Sequence, residues 1–149
     1  MISFSENVDV SLWGMRTEPR PTLADPDHLL HRLDCRDVVV ADDRVVMELA
    51  NRPDLANVRG ALQGGLVATL IDIAAGRLAG RHVGADQDVT TADMTIHFLA
   101  PVLTGPARAE ATLLRAGRRL IVTTVDVVDV ARDRLAARAT LSFAVLQRR

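Results

Sequence analysis

NVRGALQGGLVATLIDIAAG, residues 57–76, is the stretch on which the fold turns. From Gly64 to about Gly80 it predicts one long helix, apolar nearly all round: Leu66, Val67, Ala68, Leu70, Ile71, Ile73, Ala74 and Leu78. A helix with so little polar surface is expected to be buried rather than amphipathic. Asp72 sits in its middle. An ionised carboxylate costs several kcal/mol to bury, so it needs a partner, a proton or an open cavity. Burial would raise its pKa toward the range useful for a base. The alternative reading pairs Asp72 with an arginine or hydroxyl at an interface.

The same helix opens on Gly64-Gly65. Its first N–H groups have no partners within the helix, and the helix dipole adds a partial positive charge there. Two glycines let a carbonyl oxygen approach closely, which suits an oxyanion. A plain tight turn would also explain them. Gln63 and Asp72 are nine positions apart. At about 100° per residue they point to nearly opposite sides of the helix. One helix cannot readily bring both to one substrate, whereas two copies related by a two-fold axis can.

The segments around this helix are read outward from it. Ahead of it, DPDHLLHRL (25–33) predicts a short helix capped by Asp25 or Asp27, with Pro26 in its first turn and Leu29, Leu30 and Leu33 on one face. His28 and His31 could share a face, as solvated groups or as two of the ligands of a metal. CRDVVVADDRVVMELAN (35–51) predicts a hairpin turning at Asp42 and Asp43, and residues 51–60 a loop. Beyond Gly84 the chain reads as four strands in meander. In the first of them Met94, Ile96 and Phe98 face one way, Thr95 and His97 the other. Ala107, Ala109, Ala111 and Leu113 share one side of the second. Two more strands follow, joined around residues 129–133. One long helix with an antiparallel sheet implies an α+β fold, the sheet curved round the helix. Residues 1–20 read as an N-terminal arm and residues 21–149 as one domain.

Composition narrows the function. The chain has 149 residues, 18 basic and 19 acidic, for a net charge of −1. The basic surplus that nucleic-acid binding usually leaves is absent. Every basic side chain other than histidine is Arg. Cys35 is the only cysteine, so no internal disulfide forms, which fits a reducing cytoplasm. The first 16 residues lack the order of a signal peptide, and the apolar stretch 61–80 contains Asp72 and Arg77 and makes a poor membrane span. No metal or redox cofactor is expected. Arg115, Arg118 and Arg119 gather at one turn, either as phosphate ligands or as a solvated hairpin tip.

Residues 57–76 resemble the PaaI-like acyl-CoA thioesterases of the hot-dog fold. Their pattern is Asn-x-x-Gly-x-x-His-Gly-Gly, with an acid seven residues after the second glycine. Thr91 to Pro101 and the last two strands are also similar to that family. The resemblance implies a hot-dog fold, an antiparallel sheet wrapped round a long central helix, working as a homodimer or a dimer of dimers. It implies that Gly64 donates its N–H to the thioester carbonyl and that Asp72 of the facing subunit is nucleophile or general base. Asn57 would help fix the water or the loop, and Thr91 would support that water. Gly65 and Thr69 would lie against the substrate. Gln63 departs from the family, which has His there; Gln can hydrogen-bond but cannot shuttle a proton. The departure leaves open a non-catalytic acyl-CoA binder. A hot-dog hydratase or dehydratase is a third reading, with His97 as the histidine available to it.

Overall fold

The computed structural model describes residues 28–148, so the expected arm over residues 1–20 and the caps Asp25, Pro26 and Asp27 lie outside the described residues. The chain divides into two compact units at Arg32/Leu33. Of the first unit, α1 (Leu29–Arg32) is described. It is shorter than the predicted helix and buries none of its residues, with Leu29 61% exposed. Leu33 falls in a turn closed by Asp34 at φ 55°, a left-handed conformation that ends a helix. The His28 ring accepts the N–H of Leu30 at 3.2 Å and meets His31 edge-on. Among the described residues no group of three or more His, Cys, Asp or Glu could hold a metal ion.

The second unit follows the predicted segments closely. β1 (Cys35–Val40) and β2 (Arg44–Leu49) form the hairpin, α2 spans Gly64–Gly80, and β3 (Gln87–Phe98), β4 (Ala107–Ala116), β5 (Leu120–Asp129) and β6 (Arg134–Gln147) follow. All pairings are antiparallel. The six strands lie in the order β1-β2-β4-β5-β6-β3. This corrects the expected meander of four: only β4, β5 and β6 meander, while β3 pairs with β6 at the far edge. The eight residues between β3 and β4 are too long for a tight hairpin and carry Pro101 and Pro106, which have no N–H to give. They cross the end of β6 instead, where the Leu99 and Ala100 N–H groups bond the Ala136 carbonyl.

α2 packs on the concave side, against β2 to β6. The inner face of β4 is Ala107, Ala109 and Ala111, all fully buried, and α2 answers with Ala74, Ala75 and Ala79. Small side chains on both sides let helix and sheet approach closely. Leu70, Ile71, Leu78, Ile121, Leu141 and Phe143 fill the rest of this core, each worth about 1.5–3 kcal/mol when removed from water.

Only one side of α2 is buried, which corrects the expectation of a helix enclosed all round. Gly65, Thr69, Asp72, Ile73, Gly76, Arg77 and Gly80 form a partly or fully exposed stripe at spacings of three and four. β3 is exposed beside it: Met94 and Phe98 face inward by register, opposite Leu141 and Ala137, yet remain 39% and 59% exposed. A helix stripe of mostly small and polar residues and the apolar side chains of a strand edge thus lie exposed together. Among the described residues no helix is long and apolar enough to cross a membrane.

Candidate active site

The expected site residues fall into two groups. The first surrounds the start of α2. The Asn57 side-chain carbonyl accepts the N–H groups of Arg59 at 2.9 Å and Ala61 at 3.2 Å, while its own N–H bonds the Ala61 carbonyl. Gly60 completes this turn at φ 78°, which a side chain would strain. Asn57 therefore organises the loop. The Leu62 N–H reaches the Val102 carbonyl and the Gln63 N–H the Leu55 carbonyl, fixing the approach to the helix. Gln63 caps α2 with extended backbone, and its side chain makes no capping bond.

Gly64 and Gly65 are exposed. Neither has a positive φ. A Cβ on Gly64 would sit 3.5 Å from the Phe98 ring, an ordinary contact, and one on Gly65 would meet nothing. Among the described residues nothing demands glycine at either position. What their bare backbone does is leave the first N–H groups of the helix open to an outside acceptor. A cavity of about 330 Å³ opens beside them, lined by Asn57, Gly64, Phe98, Pro101, Val102 and Ala136 among others.

The second group lies further along α2. Asp72 is half-buried and accepts a 2.8 Å hydrogen bond from the Thr91 hydroxyl. Thr91 reaches it because of a bulge in β3. The register slips between Thr91 and Asp93, so Thr91 pairs with inward-facing Phe143 while Asp93 pairs with Ser142. Without the extra residue Ala92, the two would share a face. Thr69 spends its hydroxyl proton on the Gly65 carbonyl at 2.9 Å. Arg77, one turn beyond Asp72, pairs with Asp37 of β1. His97 is exposed, opposite Arg138 on the outward face.

One chain does not unite the two groups. Gly64 and Asp72 are eight residues apart along a straight helix, about 12 Å at 1.5 Å per residue, and Asp72 does not line the cavity at Gly64.

Sequence reasoning named Asp72 as the buried acid and missed the two carboxylates that are buried. Glu48, 2% exposed, is held by Arg36 and Arg108 at 2.5 and 2.7 Å. Burial pushes its pKa up, and the two guanidinium groups more than offset this and hold it below the usual range. Asp129, fully buried, accepts the N–H groups of Leu103, Thr104 and Gly105. There too burial is outweighed, by the three N–H donors and Arg132, and the pKa is lowered. Asp129 continues the inward alternation of Ile121, Thr123, Val125 and Val127, a signal that was available in the sequence. Both groups have fixed partners and stand apart from α2's open stripe.

Known proteins share this fold. The sequence profile of the thioesterase superfamily matches residues 59–136. A protein of Saccharolobus solfataricus that carries an esterase name is 31% identical over 81% of this chain and 85% of its own. A Bacillus halodurans protein solved with CoA is 30% identical, with a TM-score of 0.65 over 68% of this chain and 66% of that one. A Haemophilus influenzae thioesterase, at 19% identity, shares the fold with a TM-score of 0.76 over 81% of this chain and 84% of its own. These likenesses support thioester hydrolysis as the general class of chemistry. A curved antiparallel sheet holding one long helix is the hot-dog fold, and the chain belongs to the thioesterase superfamily.

Proposed function

We propose that this protein is a PaaI-like acyl-CoA thioesterase of the cytoplasm, active as a homodimer or a dimer of dimers. The observation that carries the reading is the split machinery: bare helix N–H groups at Gly64 and a threonine-held carboxylate at Asp72, too far apart on one helix to share a substrate. β3 offers the means to join them. It is an edge strand of 12 residues, and such edges invite pairing with another chain. A second copy docked there would cover Met94, Phe98 and the stripe of α2, and bring its Gly64 toward this chain's Asp72.

In that arrangement the thioester carbonyl oxygen accepts the N–H of Gly64, which stabilises the negative charge formed on attack. Asp72 takes a proton from water as the water oxygen adds to the carbonyl carbon. The C–S bond then breaks and the thiolate leaves, taking a proton, to give CoA and the free acid. The Thr91 hydroxyl holds one Asp72 oxygen and leaves the other for water. The Bacillus halodurans relative solved with CoA supports the same carrier here.

Free thiol release from a panel of acyl-CoAs tests this. Wild type is expected to turn over at least one chain-length class, and Asp72→Ala to lose about 10²–10⁴-fold in kcat. Equal rates in both proteins would remove Asp72 from the mechanism. One observation favours a second reading, a non-catalytic acyl-CoA binder: Gln63, exposed at the helix start, cannot carry a proton. That reading predicts saturable binding without turnover, and a large gain in rate for Gln63→His.

A further inference from the structure

β3 is open along one edge, and its pairing with β6 fixes what that edge presents. The Leu99 N–H bonds the Ala136 carbonyl at 2.8 Å, and Phe98 lies opposite Ala137. Successive residues of a strand turn their N–H and C=O groups to opposite sides. Asp93, Thr95 and His97 therefore direct theirs to β6, and Met94, Ile96 and Phe98 direct theirs to the open edge. Side chains alternate as well. Met94, Ile96 and Phe98 face inward, while Asp93, Thr95 and His97 face outward, opposite Ser142, Thr140 and Arg138.

A second copy on this edge, related by a two-fold axis, pairs antiparallel and must keep like faces together. The axis then passes through one residue of β3. Two contacts within the chain choose which. A Cβ on Gly64 would sit 3.5 Å from the Phe98 ring, and Asp72 is bonded to Thr91. Bringing Gly64 to the partner's Asp72 thus brings Phe98 to the partner's Thr91, which centres the pairing at Met94 or Thr95. The bulge decides between them. About Met94, Ile96 would fall opposite Ala92, the inserted residue. About Thr95, residues 93–97 all fall in regular pairs.

The side chains suit the second register. Met94 meets the partner's Ile96 on the inward face, and these two exchange the open-edge hydrogen bonds. On the outward face Thr95 meets its own copy and Asp93 meets the partner's His97. Those are the non-hydrogen-bonded positions, where paired side chains stand closest. Asp93 and His97 are exposed, and neither makes an ion pair or hydrogen bond among the described residues. Arg138, the neighbour of His97 on β6, gives two N–H groups to Asp126, each at 2.6 Å. An imidazole beside a guanidinium is favoured by an acid on its other side.

We propose that two copies pair β3 to β3 about Thr95, with His97 of each chain held by Asp93 of the other, and that this register aligns Gly64 with the partner's Asp72. It rests on the shared centre proposed above and assigns the residues that line up its two halves. His97 and Asp93 face away from the substrate and act as positioning residues.

The test uses the full chain carrying Cys35→Ser, so that each added cysteine is the sole one. Thr95→Cys is expected to form a disulfide-linked dimer under mild oxidation. The paired Cα atoms stand about 4.5 Å apart, within the disulfide range. Asp93→Cys and His97→Cys are each expected to stay unlinked alone, because a residue and its copy lie four positions, about 13 Å, apart along the strands. Co-expressed, the two are expected to link to each other. In the native background, Asp93→Lys is expected to raise the dimer dissociation constant at least about tenfold, and His97→Glu added to it to recover most of that loss. Self-linking of Asp93→Cys or His97→Cys, an unlinked Thr95→Cys dimer, or a charge reversal without loss or without rescue would overturn the register. Monomeric wild type in sedimentation would overturn the register and the shared centre together. Linkage and rescue as expected, with no thiol release by wild type from any acyl-CoA, would overturn the hydrolase reading and leave the register standing.

Discussion

Glycines in this chain divide by what holds them. Gly60 is required by a positive φ and Gly117 by a carbonyl 2.8 Å from any added Cβ. Gly105 is hemmed by the Ala131 backbone nitrogen, 2.4 Å from where a Cβ would stand. Gly64 and Gly65 answer to no such constraint among the described residues. The same logic applies to Thr91. Its hydroxyl makes one bond, to Asp72, on an exposed surface where that bond adds little to stability. Thr91→Val is therefore expected to leave the melting temperature within a few degrees of wild type while lowering thiol release about tenfold. A fall in stability with unchanged turnover would assign the pair to the fold instead.

Elements place these residues through irregularities that periodicity does not reveal. The helix bounds and most strands were legible because apolar spacing changes from helical to alternating near Gly84. The bulge at Ala92 was not, since an inserted residue looks like any other until its partner strand is known; yet it alone turns Thr91 toward Asp72. The strand order was hidden for a similar reason. Consecutive strands usually pair, and here the second half of the crossover between β3 and β4, residues 103–105, is held by one carboxylate, Asp129. Asp129→Asn keeps the size but gives up a charge-assisted acceptor, and is expected to cost about 2–3 kcal/mol in urea unfolding at pH 7. The folded pKa of Asp129 is lowered, so its contribution is complete above the unfolded carboxylate value of about 3.9 and is lost as pH falls through the folded value. The gap between wild type and Asp129→Asn is thus expected to narrow as pH drops below about 4. A gap that stays constant or widens would mean that the three N–H bonds do not depend on the charge.

For the molecule entire, the amino-acid pattern conveyed the order of elements better than what encloses them. Asp72 does lie within a helix of mostly apolar residues, but its surroundings were misjudged, because an apolar side chain can face a core or a partner and its spacing is the same in both. Leu66 and Ile73 lie on the open side of α2 and, in the proposed dimer, face a partner. Each catalytic centre of that dimer draws on two chains. The most direct test is complementation. Asp72→Ala removes the carboxylate, and Gly64→Val blocks the helix N–H groups; each homodimer is expected to be inactive. Co-expressed, half of the dimers are mixed, and each mixed dimer regains one intact centre of two, so activity is expected to return to roughly a quarter of wild type. Co-expressed protein no more active than either variant alone would contradict a centre shared between subunits.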